Sequence, residues 1–332
     1  MRHSSRNNDD TVILRAPAQG MPRSVFFARV RPRAVLAGVA IVMGLAGGGM
    51  VLWRSMKAPH DLPSPQTEAG IDIGASCVTH AFVLAQDHDI LVLDFSSLLA
   101  QGQTLNRVAA FVEKAGLPRD RVLDGSALQS AIHESGATEQ TYYYGHDYQA
   151  GDLRRFFAQA ARQSIALTPQ ELWLHAVLAR MGWLQSDANG ALITISASGD
   201  GLDASMRAIT LRHEIAHGAF YTVPAYRAYT RRFWQALAPS ERAGFITFLG
   251  QQGYDTTSEA LMYNEMQAYL AFTADTRFFN AQAVNLSDAR LEAMRVSFLD
   301  GMPDFWLREL ATHPVPPASV LICPESQPAN PT

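Results

Sequence analysis

The sequence predicts an α+β fold: a single N-terminal transmembrane helix followed by a domain with a mixed first half and a mainly helical second half. Three observations favour this class. Residues 34–53 form a long run without a charge, segments typical of strands occur only before residue 198, and helical spacing of apolar residues dominates after it. Strands and helices segregated along the chain are typical of α+β domains.

Composition indicates a domain with a sizeable core. Of the 332 residues, 48% are hydrophobic and only 17% are charged, which is enough apolar surface for one large domain or two ordinary ones. The net charge of −4 is unevenly distributed, because residues 1–33 carry many arginines against only Asp9 and Asp10. The rest of the chain is therefore acidic, which argues against nucleic acid as a partner.

A membrane anchor is predicted over residues 34–53, because at about 1.5 Å per residue this run is long enough to cross a bilayer. Arginines are frequent before the run, whereas Arg54 and Lys57 alone follow it closely. By the positive-inside rule, the protein is then a single-pass protein of the cytoplasmic membrane, with its N-terminus inside and a periplasmic domain. Gly44 and Gly48 form a G-x-x-x-G pair that indicates a possible anchor-mediated dimer.

The chain divides into five segments. The predicted segments are a basic cytoplasmic tail (1–33), the anchor (34–53), a linker (54–70), a folded domain (71–312) and a proline-rich tail (313–332). The two cysteines of the sequence, Cys77 and Cys323, lie near the two ends of the domain. In an oxidising compartment this placement indicates a disulfide, with two separate buried thiols as the alternative.

The first half of the domain contains the predicted strands. An apolar run over residues 90–95 indicates a buried strand, and helical spacing from Leu105 to Ala115 indicates a helix after it. The aromatic run 141–148 is β-prone and is interpreted either as a packed strand edge or as the lining of a cleft. Residues 191–197 form the clearest strand of the sequence.

Helix boundaries are predicted from caps and breakers. Residues 168–171 (TPQE) form a capping box with proline at the first helical position, and the helix is expected to end at Gly182. Asp203 and Ser205 are N-cap candidates for the next helix, which Pro224 ends. A further helix is expected from about Tyr226, and another after it.

The segment LRHEIAHG over residues 211–218 contains the pattern His-Glu-x-x-His. On an α-helix, residues i and i+4 lie on one face, so His213 and His217 can bind one metal ion through their imidazole nitrogens. Glu214 lies one residue round the helix, close enough to take a proton from a metal-bound water. The alternative is a packed helix with two core histidines and Glu214 at the surface.

A catalytic zinc usually has three protein ligands and one open position. The metzincin pattern is excluded, because its last histidine would fall on Val223 and residues 218–230 contain no histidine. Two later glutamates remain as ligands. Glu259 ends a capping box that begins at Thr256, which favours a structural role. Glu265 lies among apolar residues, where a buried carboxylate needs a cation, and we predict it as the third ligand. The alternative is a solvated glutamate on the outer face of the helix.

These residues resemble the gluzincins, the zinc metallopeptidases with His-Glu-x-x-His and a glutamate on a following helix. The resemblance covers about residues 190–275 and rests on the motif at 213–217 and on Asn264-Glu265. It implies a Zn²⁺ cofactor and a peptide or protein substrate whose backbone pairs with the strand at Leu192–Ala197. The chain departs from many gluzincins at Tyr269, where they place an acidic residue near the zinc ligands.

The resemblance implies hydrolysis of peptide bonds, with zinc on His213, His217 and Glu265 and with Glu214 as the general base. A donor for the developing oxyanion is also needed. Its candidates are Tyr221, Tyr226, Tyr254, Tyr269 and His313. Two other classes of function stay open: a membrane-tethered scaffold with a degenerate or structural metal site, and a zinc hydrolase of a non-peptide substrate.

Overall fold

The computed structural model describes residues 62–74, 77–112, 114, 116–199, 202–252 and 254–318. Five strands lie in this part of the chain: β1 (Ser64–Gln66), β2 (His80–Leu84), β3 (Asp87–Phe95), β4 (Asp147–Gln149) and β5 (Ala191–Ser196). They form one mixed sheet in the order β1-β2-β3-β5-β4. β1 is parallel to β2 and β3 is parallel to β5, whereas β2 with β3 and β4 with β5 are antiparallel.

Helices make up most of the remaining described residues, and all the strands precede residue 197. The helices are α1 (Glu68–Ile73), α2 (Leu98–Val112), α3 (Gly125–Glu134), α4 (Ala150–Arg162), α5 (Pro169–Arg180), α6 (Ala204–Thr222), α7 (Pro224–Ala236), α8 (Pro239–Gln252), α9 (Glu259–Gln267), α10 (Asp288–Gly301) and α11 (Trp306–Thr312). A π-helical turn, Ala268–Phe272, continues α9, and a 3₁₀ turn lies at Gln282–Val284.

The central strands β3 and β5 are buried on both faces. Their register runs from Ile90 opposite Ala191 to Phe95 opposite Ser196. Side chains alternate across a sheet, so the two faces carry different partners. Phe95 packs against Trp173 of α5 on one face, and Ile90 lies against Gly218 of α6 on the other. The sheet thus separates α6 from α5.

Helix α6 begins where its N-cap predicts. Asp203 is the N-cap residue, and its Oδ1 accepts a hydrogen bond of 2.8 Å from the backbone N–H of Met206. Every residue from 207 to 220 is buried. A Cβ at Gly218 would lie 3.0 Å from the side chain of Ile90, so glycine lets the helix approach the sheet closely. α6 is therefore a central helix packed on the sheet.

One of the two predicted capping boxes is confirmed and the other is wrong. At the start of α5, Thr168 Oγ1 accepts from the N–H of Glu171, and Glu171 Oε2 accepts from the N–H of Thr168. At the start of α9, the N-cap is Ser258 rather than Thr256, with its hydroxyl 3.3 Å from the N–H of Leu261. Glu259 is therefore the first residue of α9 and is exposed.

The predicted role of Leu192–Ala197 as a substrate-pairing strand is contradicted for its first part, Leu192–Thr194. β5 lies inside the sheet, with β3 on one side and β4 on the other. Its hydrogen bonds on the β4 side extend to Thr194, whose N–H donates to the carbonyl of His146. The edge strand at this end is β4, which is formed by the last part of the aromatic run. Residues paired on both sides have no free edge for another chain, whereas the pairing with β4 does not extend to Ile195–Ala197.

The predicted transmembrane anchor requires a correction. The run 34–53 lies outside the described residues, and none of the described helices is both long and apolar enough to cross a bilayer. The longest, α6, carries Arg207, Arg212 and Glu214, and charged side chains are costly in hydrocarbon. The fold class is therefore corrected to a mixed α/β domain with a five-stranded sheet. The cytoplasmic-membrane localisation is withdrawn with the anchor. The predictions of the membrane as a partner and of an anchor-mediated dimer fall on residues outside the described part of the chain.

The folded domain begins before residue 71. β1 and the first part of α1 lie within the predicted linker 54–70, and β1 pairs with β2. Cys77 is disulfide-bonded, whereas Cys323 lies outside the described residues. The predicted cytoplasmic tail 1–33 also lies outside them.

Candidate metal centre

Helices α6 and α9 bring the three predicted ligands together. One ligand atom from each of His213, His217 and Glu265 lies within 4.8 Å of the others, and all three residues are buried. His213 Nε2 and Glu265 Oε2 are 3.9 Å apart. Two atoms bonded to one tetrahedral zinc ion at roughly 2.0–2.2 Å are about 3.3–3.6 Å apart, so the measured distance exceeds that of a bound pair by less than about 1 Å. This buried group can hold a metal ion.

The Nδ1 atoms of both histidines are held by buried polar side chains. His217 Nδ1 lies 3.0 Å from Asn264 Oδ1, and Asn264 Nδ2 donates to the hydroxyl of Tyr221. His213 Nδ1 lies 2.8 Å from Thr273 Oγ1. Because the amide nitrogen of Asn264 faces Tyr221, its oxygen faces His217 and accepts the Nδ1 proton.

The Nε2 atoms of His213 and His217 are buried and make no hydrogen bond to any described residue. A buried imidazole nitrogen without a partner is rare in a packed interior and requires an explanation. Metal-binding histidines typically donate one ring N–H to a neighbouring group and bind the ion through the other nitrogen. The arrangement of both rings is the one that metal binding requires.

Both histidines are neutral at physiological pH. Burial lowers the pKa of His217 to about 3, against the opposing effect of its hydrogen bond to Asn264. Burial, followed by the charge of His217, lowers the pKa of His213 well below its ordinary value. Because a metal ion binds the neutral imidazole, neither ring has to lose a proton before it binds a metal.

Glu214 lies beside a glycine of the aromatic run. The side chain of Glu214 is buried, and a Cβ at Gly145 would overlap its Oε1 atom and lie 3.1 Å from its Cδ. Gly145 lies two residues before β4. Tyr142 and Tyr143, earlier in the aromatic run, are almost fully buried. The run therefore places the backbone of Gly145 against the predicted general base.

Tyr254 is the oxyanion-donor candidate that the structure places near both carboxylates. Burial raises the pKa of its hydroxyl well above the ordinary value, and the charges of Glu265 and Glu214 raise it further, together with contact to Tyr269. The two tyrosine hydroxyls are 3.5 Å apart. Tyr254 therefore stays protonated and can donate a hydrogen bond near the predicted ligands.

The other donor candidates have different surroundings. Tyr226 donates to Gln267, and Tyr221 accepts from Asn264. The ring of Tyr269 packs edge-on against His213, with centroids 4.8 Å apart. His313 is exposed, and its Nδ1 contacts the carbonyl of Glu309.

Sequence reasoning missed Gly145 and Thr273. The signal for Gly145 is a glycine inside an otherwise aromatic, β-prone run, which indicates close approach of another group to the backbone. Thr273 lies eight residues after Glu265, and no local pattern marks its contact with His213.

No family model, curated protein or solved structure is significantly similar to this chain. The resemblance to gluzincins therefore stays a prediction from the motif residues and the later glutamate. The structure adds the convergence of the three side chains that can hold a metal.

Proposed function

We propose that the protein is a zinc-dependent hydrolase that cleaves peptide bonds. The observation that supports this proposal is the convergence of His213, His217 and Glu265, with Glu214 on the same helix as the two histidines. Two imidazoles and one carboxylate form a ligand set typical of catalytic zinc, which leaves one position for water. Neutral buried rings with oriented Nδ1 atoms favour binding of the ion.

The proposed chemistry follows from the side chains around this site. A bound zinc ion supplies positive charge that lowers the pKa of a water and polarises a carbonyl oxygen. The carboxylate of Glu214 takes one proton as the water oxygen attacks the carbonyl carbon, and it passes that proton to the amide nitrogen as the C–N bond breaks. One water and one peptide bond thus yield a carboxylic acid and an amine. Tyr254 donates a hydrogen bond to the developing oxyanion.

A structural metal site is the second candidate. The full burial of His213, Glu214, His217 and Glu265 favours it, because a substrate needs access to the reacting water. Against it, a closed structural zinc site has four protein ligands, and the described residues offer a group of three. A zinc hydrolase of a non-peptide substrate is the third possibility.

Glu214→Gln in the purified full-length protein separates these functions. The variant is expected to keep its zinc and to lose at least about 100-fold in hydrolysis, because an amide cannot take the proton of the attacking water. Glu259→Gln is the matched control, since it makes the same change at an exposed residue of α9. Zinc content and initial rates on a peptide library measure the two effects.

The same assay includes esters and other non-peptide substrates. Zinc-loaded wild-type protein that hydrolyses esters but no peptide would identify the third function. Loaded protein that is inactive on the whole panel, or an E214Q variant with undiminished activity, would contradict the proposed peptidase.

A further inference from the structure

The π-helical turn after Glu265 changes which residue faces the metal centre. Two turns of an α-helix contain about 7.2 residues, so position 272 would share the face of Glu265 in an uninterrupted helix. A π-turn contains about one extra residue, so the residue that shares the face of Glu265 is Thr273 instead of position 272. Tyr269 lies between them in sequence, and its ring packs against His213. Glu265, Tyr269 and Thr273 therefore meet the same part of α6.

The hydroxyl of Thr273 has two hydrogen-bond partners. Its Oγ1 lies 3.1 Å from the carbonyl oxygen of Ala268 and 2.8 Å from His213 Nδ1. A carbonyl oxygen only accepts, so the bond to Ala268 uses the single hydroxyl proton. With that proton donated to Ala268, the lone pairs of Oγ1 accept from His213, and its Nδ1 carries the ring proton. Since Thr273 is 1% exposed, bulk water does not compete for these bonds.

We propose that Thr273 is a positioning residue that sets the tautomer and ring orientation of His213 for metal binding. With the proton on Nδ1, the Nε2 lone pair faces Glu265, 3.9 Å away. The π-turn thereby supplies from Thr273 the partner for His213 that an acidic residue at the position of Tyr269 would otherwise supply. A neutral hydroxyl orients the ring without adding a further negative charge to the centre. This inference rests on the proposed metal centre.

The test compares Thr273→Val and Thr273→Ser in the full-length protein. Valine has nearly the same shape but cannot accept a hydrogen bond, whereas serine keeps the hydroxyl. Thr230→Val is the matched control, because Thr230 is also a buried helical threonine whose hydroxyl donates to a backbone carbonyl, that of Arg227. Two quantities are measured: the His213 tautomer, from ¹⁵N spectra of the imidazole rings of metal-free protein, and zinc affinity, by competition with a chelator.

Wild-type, T273S and T230V proteins are expected to show His213 protonated at Nδ1. The T273V protein is expected to lose that single tautomer and to bind zinc roughly 10- to 100-fold more weakly, as for loss of other partners that orient metal ligands. If Thr273 mattered only for packing, the T273V substitution would leave the tautomer of His213 unchanged, and serine would have no tautomer to restore.

Three results would overturn the inference. They are a wild-type His213 protonated at Nε2, a T273V protein with an unchanged tautomer and zinc affinity, and a T273S protein that behaves like T273V. The spectrum of the wild-type protein decides the first of these even if T273V does not fold. Because the tautomer is read without metal, failure of the inference is distinguishable from failure of the proposed function, which is absence of zinc binding by the wild-type protein.

Discussion

At the scale of single residues, the position of Glu214 depends on the absence of a side chain at Gly145. A Cβ there would overlap Glu214 Oε1 and lie 3.3 Å from Thr210 Cγ2 on the same helix. Because Glu214 and Thr210 both belong to the rigid helix α6, the carboxylate would have to rotate away. Glycine at position 145 thus keeps the proposed general base in place.

Gly145→Ala is therefore expected to lower hydrolysis while leaving zinc bound. A displacement of about 1 Å at a reacting group can cost roughly 100-fold in rate, and the atoms nearest to a Cβ at Gly145 belong to Glu214 and Thr210 rather than to a ligand. Gly125→Ala is the control, because a Cβ at Gly125 meets no atom within 4 Å. Steady-state rates and zinc content check this prediction. A G145A protein as active as G125A would contradict the placement of Glu214 as the base.

The three ligands could be predicted from the sequence because each is marked by residues close to it in the chain. His213 and His217 share a helix face by their spacing, and Glu265 is a carboxylate among apolar neighbours. The contact of Thr273 could not be predicted, since it depends on a π-turn within the sequence AYLAF that has no distinctive signature. The choice of Tyr254 among the donors depends on tertiary packing.

At the scale of elements, buried arginines attach helix α6 to its surroundings. Arg207 donates to both carboxylate oxygens of Asp94 on β3, at 2.8 and 3.0 Å. Arg212 donates to both oxygens of Glu68 on α1 and to the carbonyls of His313 and Pro314. Bidentate arginine pairs have defined geometry. They fix the helix that carries the histidines against the sheet, α1 and the start of the C-terminal tail.

Asp72 of α1 makes the stability of this region depend on pH. Burial raises its pKa to about 7, against the opposing charge of Arg207, whereas the ordinary value is 3.8. The folded state therefore retains a proton that the unfolded state has lost between about pH 4 and pH 7. The contribution of this proton to the free energy of unfolding is complete below about pH 4. It falls as the pH rises from about 4 to 7 and is lost above about pH 7.

Asp72→Asn is expected to remove this dependence. Compared with wild type, the variant should gain free energy of unfolding between pH 5 and pH 8, by up to about 3 kcal/mol, because about two pH units of the shift lie above pH 5. Urea unfolding at the two pH values measures the difference. Asp304→Asn, a change at an exposed carboxylate, is the control. A D72N effect that is equal at both pH values would contradict the raised pKa.

Element boundaries were predictable where a side chain caps a helix. Thr168, Glu171 and Asp203 make the predicted hydrogen bonds, because capping is a contact within four residues. The capping box at Thr256 failed because the helix begins two residues later, where Ser258 caps the backbone N–H of Leu261. The internal position of β5 could not be predicted, since strand order depends on contacts between residues far apart in sequence.

At the scale of the whole molecule, the two halves of the described chain contribute differently to the candidate metal centre. The sheet and the helices up to α5 form a support against which α6 packs, and the helices after α6 supply Asn264, Glu265 and Thr273. Ligands from two helices require that α6 and α9 keep their relative position. The composition predicts a large core, and the core that forms is continuous from the sheet to α10 and α11.

The metal content of the purified full-length protein tests the central claim most directly. The account predicts about one zinc per chain in wild-type and Glu259→Ala proteins and loss of zinc from Glu265→Ala, because only Glu265 belongs to the ligand group. The two variants remove the same side chain from the same helix, so a general effect on α9 would lower both. Zinc retained in E265A but lost from E259A, or absent from the wild-type protein, would contradict the account.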